Sequence, residues 1–242
     1  DPHEILLQDP EPWAIPTEDY LTDLDYAFDG RPGSWDYFDG SKYRFSAAAA
    51  AIEFLRSLQK NRRVQIRKIL LQEDHQAVSN PACHAQGLIP FCQENPLLRV
   101  ERRVNLWRNV FLGHVWHSRQ VHDPEDISPA DIAWDVTAHV AEWIVEALTL
   151  ISAGMPAGSF TMVLDGEPAP GRCSEIFQTI LQRDVAWQSA LDECYARELL
   201  PTPSSYQRRS NTCYTFEDFP QAVRDIVNNT SLVRCNFDPG EL

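Results

Sequence analysis

The chain has 242 residues, 43% of them hydrophobic with seven tryptophans, which suits a packed core rather than a disordered tail. Its 21 Lys/Arg and 35 Asp/Glu leave a formal charge of −14 at pH 7. That argues against non-specific nucleic-acid binding, where cations must replace phosphate counterions, and no window approaches the roughly 20 apolar residues of a membrane-spanning helix.

Residues 1–41 hold five of the 17 prolines, many Asp, and aromatics that include Trp13, Tyr20, Tyr26, Phe28, Trp35, Tyr37 and Phe38. This composition predicts an extended arm pinned to the body by its rings. The opening DPHEILLQDPEPW is acidic and proline-rich and does not read as a signal peptide.

The stretch 43–73 sets the pattern for the later elements. YRF is β-like, Ser46 is a good N-cap, and Ala47 begins an alanine-rich helix with a stripe of Ala48, Ala51, Ile52, Leu55 and Leu58. A basic exit, QKNRR, leads to the apolar run around Ile66, Ile69, Leu70 and Leu71. The pattern predicts a β-α-β unit with parallel strands and a right-handed crossover.

After a loop, residues 82–94 predict a second helix that Pro90 kinks or ends. LLRVERRVNLW alternates, with Val100, Arg102, Val104 and Leu106 on one side and Arg99, Glu101, Arg103 and Asn105 on the other, so it predicts a strand. Ser128-Pro129 opens an amphipathic helix whose Val140, Trp143, Ile144, Ala147, Leu148 and Ile151 form one face, with Glu142 and Glu146 opposite. Gly154, Pro156 and Gly158 stop it, and SFTMVLDG predicts a strand. Ser174 is the expected cap of the longest helix, residues 175–200; a short helix over 216–228 and a strand in SLVRCNF close the chain.

The grammar is helix then strand, four times, with strands near Ile66, Val100, Phe160 and Leu232. It predicts one α/β domain over residues 42–242, with a mixed or parallel sheet built from repeated helix–strand units. The spacing is too irregular for a regular solenoid, and no repeat matches LxxLxLxxN, which leaves a degenerate leucine-rich-repeat-like stack as the alternative.

Charge is uneven. Residues 56–108 hold ten Lys/Arg against the four acids Glu73, Asp74, Glu94 and Glu101. Two readings stand: internal compensation on solvated faces, or a basic surface for an acidic peptide or phosphate, with Arg62, Arg63, Arg67, Lys68, Arg102 and Arg103 as partner-binding candidates. For a metal, His114-x2-His117-x4-His122 with Asp123 offers imidazoles and a carboxylate suited to zinc or iron. It lacks the HExxH motif and the cysteines of a structural finger, and ordinary surface or core histidines are the plainer reading. Cys83-His84 places a thiol beside a base, but adjacent residues seldom face each other. Glu73-Asp74-His75 and Asp165/Glu167 follow strands, where α/β proteins often place active groups; loop polar groups and caps are the bland alternative. P-loop, GxGxxG, GxSxG and kinase signatures are absent.

The six cysteines are widely spaced, which suits free thiols in a reducing compartment, cytoplasm or nucleus. The alternative is a secreted, effector-like protein with up to three bridges, for which Asn228-Asn229-Thr230-Ser231 supplies glycosylation sequons.

From Tyr43 onward, YRFS…AIEFLRSLQKNRRVQIRKILL resembles a loose class of uncharacterised fungal proteins with a pattern like xFxF…LLxFLRSLxxxxRxxIRxLxL, and LIPFCQENPLLRVERRVNLW, FTMVLDGEP and SLVRCNFDPG have the same character. In many of them an F-box-like LPxEIRxxIY segment comes first; residues 1–242 contain none. The resemblance covers about two-thirds of the chain, rests on hydrophobic pattern and brings no catalytic residues. The expectation is a non-catalytic protein-interaction module with an acidic protein partner and no cofactor; the alternative enzyme would use His114, His117 and His122.

Overall fold

The computed structural model describes residues 11–15, 17, 44–75, 81–111, 129–211 and 214–241. In chain order these form α1 (Ala47–Ser57), α2 (Lys60–Arg63), β1 (Lys68–Glu73), a 3-10 helix (Pro81–Leu88), α3 (Ile89–Glu94) and β2 (Arg99–Asn105). A π-helical turn (Trp107–Phe111), α4 (Pro129–Ser152), β3 (Phe160–Asp165) and α5 (Pro170–Ile176) come next. A second π turn (Phe177–Leu181) joins α5 to α6 (Gln182–Ala196), and α7 (Ser205–Arg209), α8 (Phe219–Val227) and β4 (Val233–Cys235) complete the fold.

All four strands are parallel and lie side by side in chain order. Crossovers of one hand, repeated in one direction, put the connecting helices on one face of such a sheet. The burial pattern agrees. Leu71, Val100, Val104, Phe160, Met162, Leu164 and Val233 are buried, and they alternate with exposed or half-buried neighbours. The core lies between this sheet face and the helices, where Ile52, Leu55, Leu88, Ile144, Phe177 and Phe219 interlock. The expected α/β architecture is therefore present, with a sheet that is parallel throughout. Its strands begin at residues 68, 99, 160 and 233, so neighbours stack in order without a fixed period.

Local expectations are refined. The first unit is α-β, not β-α-β: residues 44–46 precede α1 without joining the sheet, and Tyr43 lies outside the described residues. Ser46 is extended there and its hydroxyl accepts from Ala49 N at 3.0 Å, as a cap should. The helix expected over 82–94 is divided next to Pro90, as a 3-10 helix ending at Leu88 and α3, in whose first turn Pro90 sits, where its missing N–H is not needed. Ser174 lies inside a helix that Pro170 starts. Its hydroxyl donates to Pro170 O at 3.0 Å and accepts from Asp238 N at 3.1 Å, so it ties the C-terminal segment down instead of capping. The longest helix is α4, of 24 residues.

The N-terminal arm touches the body through Trp13, which is half-buried against the core. Gly87 makes room for it: a Cβ there would stand 2.5 Å from Ile52 Cδ1 and 2.8 Å from the Trp13 ring. Glu11 adds an exposed ion pair to Arg56 at 2.6 Å. Gly87→Ala is expected to displace Trp13 and cost about 1–3 kcal/mol by overpacking. Chemical denaturation with tryptophan emission as the readout measures it; a variant as stable as the parent, with unchanged emission, would show that the arm does not depend on this contact.

Candidate partner-binding face

The solvent side of the sheet is built by alternation. In β2 the inward residues are Val100, Arg102 and Val104; Arg99, Glu101, Arg103 and Asn105 point outward. The register sets Lys68 beside Arg99, Leu70 beside Glu101 and Gln72 beside Arg103. Glu101 lies beside Thr161, Arg103 beside Val163, and Val163 beside Arg234. Lys68, Leu70, Gln72, Arg99 and Arg234 are exposed, and Leu70 is a large apolar side chain at 49% exposure.

Glu101 sits between two cations. Lys68 Nζ donates to its Oε2 at 2.8 Å and Arg103 Nε to its Oε1 at 2.7 Å. These bonds hold its carboxyl below the usual range, so it stays ionised. Arg99 Nη1 donates only to the carbonyls of Pro96 and Leu98. Neither Arg99 nor Arg234 has a carboxylate partner among the described residues. Among the described strand residues of this face, Lys68, Arg99, Arg103 and Arg234 are cationic against Glu101 and, beside Asn105 at the far end, the largely buried Asp165, although the whole chain is acidic.

The predicted binding residues divide. Lys68 and Arg103 lie on this face. Arg62 is exposed on α2, off the sheet, and Arg67 is exposed and donates to Val64 O at 2.7 Å. Arg63 is structural: its guanidinium makes two hydrogen bonds to Glu94 and lies over the Phe91 ring, which docks α2 on α3.

Arg102 is the clear correction. It is fully buried, so it presents no charge to a partner. Its Nε and Nη2 donate to Glu73 Oε1 at 3.0 and 2.8 Å, its Nη1 donates to Glu146 Oε2 at 2.7 Å, and its guanidinium lies 4.7 Å from the Trp143 ring centroid. Glu146, expected on the polar side of α4, is buried because it meets this guanidinium; it also accepts from Ala85 N at 2.7 Å. Leu148 and Ile151, expected in the core, are exposed.

Most of the remaining chemical candidates are absorbed by the fold, while Asp74, His75 and Glu167 are exposed. Glu73, at the end of β1, accepts from the amides of Ala47 and Ala48 and so closes the N-terminus of α1. Asp165 accepts from Asn236 Nδ2 at 2.6 Å and Glu167 N at 3.0 Å, which staples the β3 and β4 loops. His84 is buried with Nδ1 2.6 Å from Ser46 Oγ, and burial lowers its pKa to about 4. Burial raises the Cys83 thiol, so the thiolate needed for attack is disfavoured. A groove of about 550 Å³ runs beside α4 past Cys83, Gln86, Glu142 and Tyr214, but both Glu146 oxygens at its wall already hold hydrogen bonds. His114, His117, His122 and Asp123 lie outside the described residues. Among the described residues no group of three or more His, Cys, Asp or Glu could hold a metal.

Sequence reasoning missed Arg99 and Arg234 as site residues. Alternation in β2 already set Arg99 beside Glu101 and Arg103, whereas Arg234 joins them only through the pairing of β4 with β3. No protein-family model matches the chain, and no curated protein or solved structure matches it either.

Proposed function

We propose that the chain is a non-catalytic protein-interaction module that receives an acidic segment of a partner protein on the open face of its sheet. The observation that carries this reading is the exposure of Lys68, Leu70, Gln72, Arg99 and Arg234 along one side of an all-parallel sheet. Parallel sheets are usually covered on both faces, whereas stacked helix–strand units leave the strand side free as a binding surface. Here that side displays Leu70 with Lys68, Arg99, Arg103 and Arg234. An apolar side chain among cations suits a segment that mixes acidic and apolar residues.

An intracellular location goes with this reading. None of the five described cysteines is in a disulfide, which suits a reducing compartment.

The test is selection of binders from a displayed library of Asp/Glu-rich peptides, then titration of the best binder against the Arg99→Glu/Arg103→Glu/Arg234→Glu variant. Charge reversal at these exposed positions is expected to weaken binding at least about tenfold and to flatten its salt dependence. A variant with unchanged circular dichroism that binds as tightly as the parent would sink the proposal.

A further inference from the structure

At the end of the sheet where the strands begin, a hollow of about 490 Å³ is lined by Lys68, Arg99, Glu101, Ser159, Thr161 and Arg234. Ser159 is the unusual member. It is 1% exposed, and its hydroxyl has no hydrogen-bond partner among the described residues. Buried hydroxyls are nearly always paired, so an unpaired one calls for an explanation. Ser159 is a bend residue immediately before β3, and it lines the hollow together with Thr161. Val100 N donates to Ser159 O at 2.7 Å, which holds Ser159 beside Arg99. Four different strands or strand approaches thus bring donors to one place.

The charges point the same way. Three cations and one carboxylate line the hollow, a net of two positive charges. The carboxylate, Glu101, is also held from outside by Arg103. Arg234 has no partner among the described residues, and Arg99 spends only Nη1, on backbone carbonyls, which leaves its Nε and Nη2 donors. A flat carboxylate offers two oxygens and one charge, whereas the residues lining this hollow come from β1, β2, the approach to β3, and β4 and carry a net of two positive charges. A tetrahedral dianion with three terminal oxygens suits that charge and can reach groups on several strands.

We infer that this hollow is a phosphoryl-binding subsite, and that the partner segment presents a phosphorylated side chain to it. The inference rests on the partner-binding reading above and narrows it to one anchor. The Ser159 hydroxyl donates to one phosphoryl oxygen, Arg99 and Arg234 bind the others, and Lys68 exchanges Glu101 for the incoming dianion.

The test uses the full chain and inorganic phosphate, with acetate at matched ionic strength as the carboxylate probe, measured by isothermal calorimetry. One saturable phosphate per chain is expected, with acetate at least about tenfold weaker. Arg99→Ala and Arg234→Ala are each expected to weaken phosphate about tenfold, and Arg62→Ala to leave it within about twofold. Ser159→Ala is expected to weaken phosphate severalfold while keeping or raising the melting temperature, a combination that a purely structural serine would not produce. No saturable binding, acetate equal to phosphate, or full binding in the Arg99→Ala/Arg234→Ala variant would overturn the subsite. Acidic peptides that still bind through Arg103 and Leu70 would then leave the face itself standing. Phosphate binding as expected, beside peptides indifferent to charge reversal on the face, would remove the face reading and keep the subsite.

Discussion

Arg102→Met is expected to destabilise the fold by about 3–5 kcal/mol, a large share of a typical domain's roughly 5–15 kcal/mol. Arg102 is fully buried and carries hydrogen bonds to both Glu73 and Glu146. Its removal leaves two buried carboxyl groups without their guanidinium, one of which, Glu146, must then hold a proton to stay inside. Glu73 can still accept from the Ala47 and Ala48 amides, but Glu146 keeps only Ala85 N. The loss exceeds what the intact ion pairs contribute, because the buried carboxyl groups remain after their partner has gone, Glu73 as a desolvated charge and Glu146 as an acid that must be protonated. Arg102→Met/Glu146→Leu is accordingly expected to recover part of the loss. Urea denaturation at pH 7 measures both, and a single-variant loss under about 1 kcal/mol would show that the carboxylates are not stranded.

The second large effect is a pH dependence that the native chain conceals. Burial raises Glu146 to about 7 from 4.5, so the folded state holds its proton longer than the unfolded chain does. Stability from this group is greatest at low pH and is lost as pH rises from about 4.5 through 7. Burial, aided by the charge of Arg102, lowers His84 from 6.5 to about 4, so the folded state resists protonation there. Stability from His84 is fully present above 6.5 and is lost as pH falls toward 4. The two slopes oppose each other between about 4.5 and 6.5 and nearly cancel.

Single replacements separate them. His84→Gln is expected to lose stability, by roughly 3 kcal/mol, as pH is raised from 4.5 to 7. Glu146→Gln is expected to gain a similar amount between pH 4 and 6.5. Comparing each variant with the parent at every pH removes the contribution of surface carboxylates such as Glu94. Parallel pH profiles in all three proteins would contradict this account.

Much of the frame could be read from local pattern. The strands at Phe160 and Val233 come from short apolar runs, and Ser46 caps α1 as its position suggested. Alternation also placed Arg102 on the side of Val100 and Val104. What alternation does not say is which side is the core, and counting Arg102 with the surface cations overlooked its apolar neighbours. Its second carboxylate was hidden for a related reason. Glu146 on a helix ordinarily marks the wet face, and only the approach of β2 and the 3-10 helix gives it an arginine and an amide inside. The sheet's outer face was half visible: Lys68 and Arg103 stood out by charge, while Arg234 is remote in sequence and belongs to the site only by strand pairing.

The order of the strands has a consequence for how the chain is made. Each strand bonds to the one synthesised before it, so the sheet can grow at its newest edge as the chain leaves the ribosome. No early strand waits for a distant later one to complete its ladder. Arg102 is the exception to this tidy sequence. Its first carboxylate, Glu73, is already present when β2 emerges, but its second arrives 44 residues later on α4. Until then the guanidinium is half-matched, and the nascent sheet keeps a polar gap that the arrival of α4 closes.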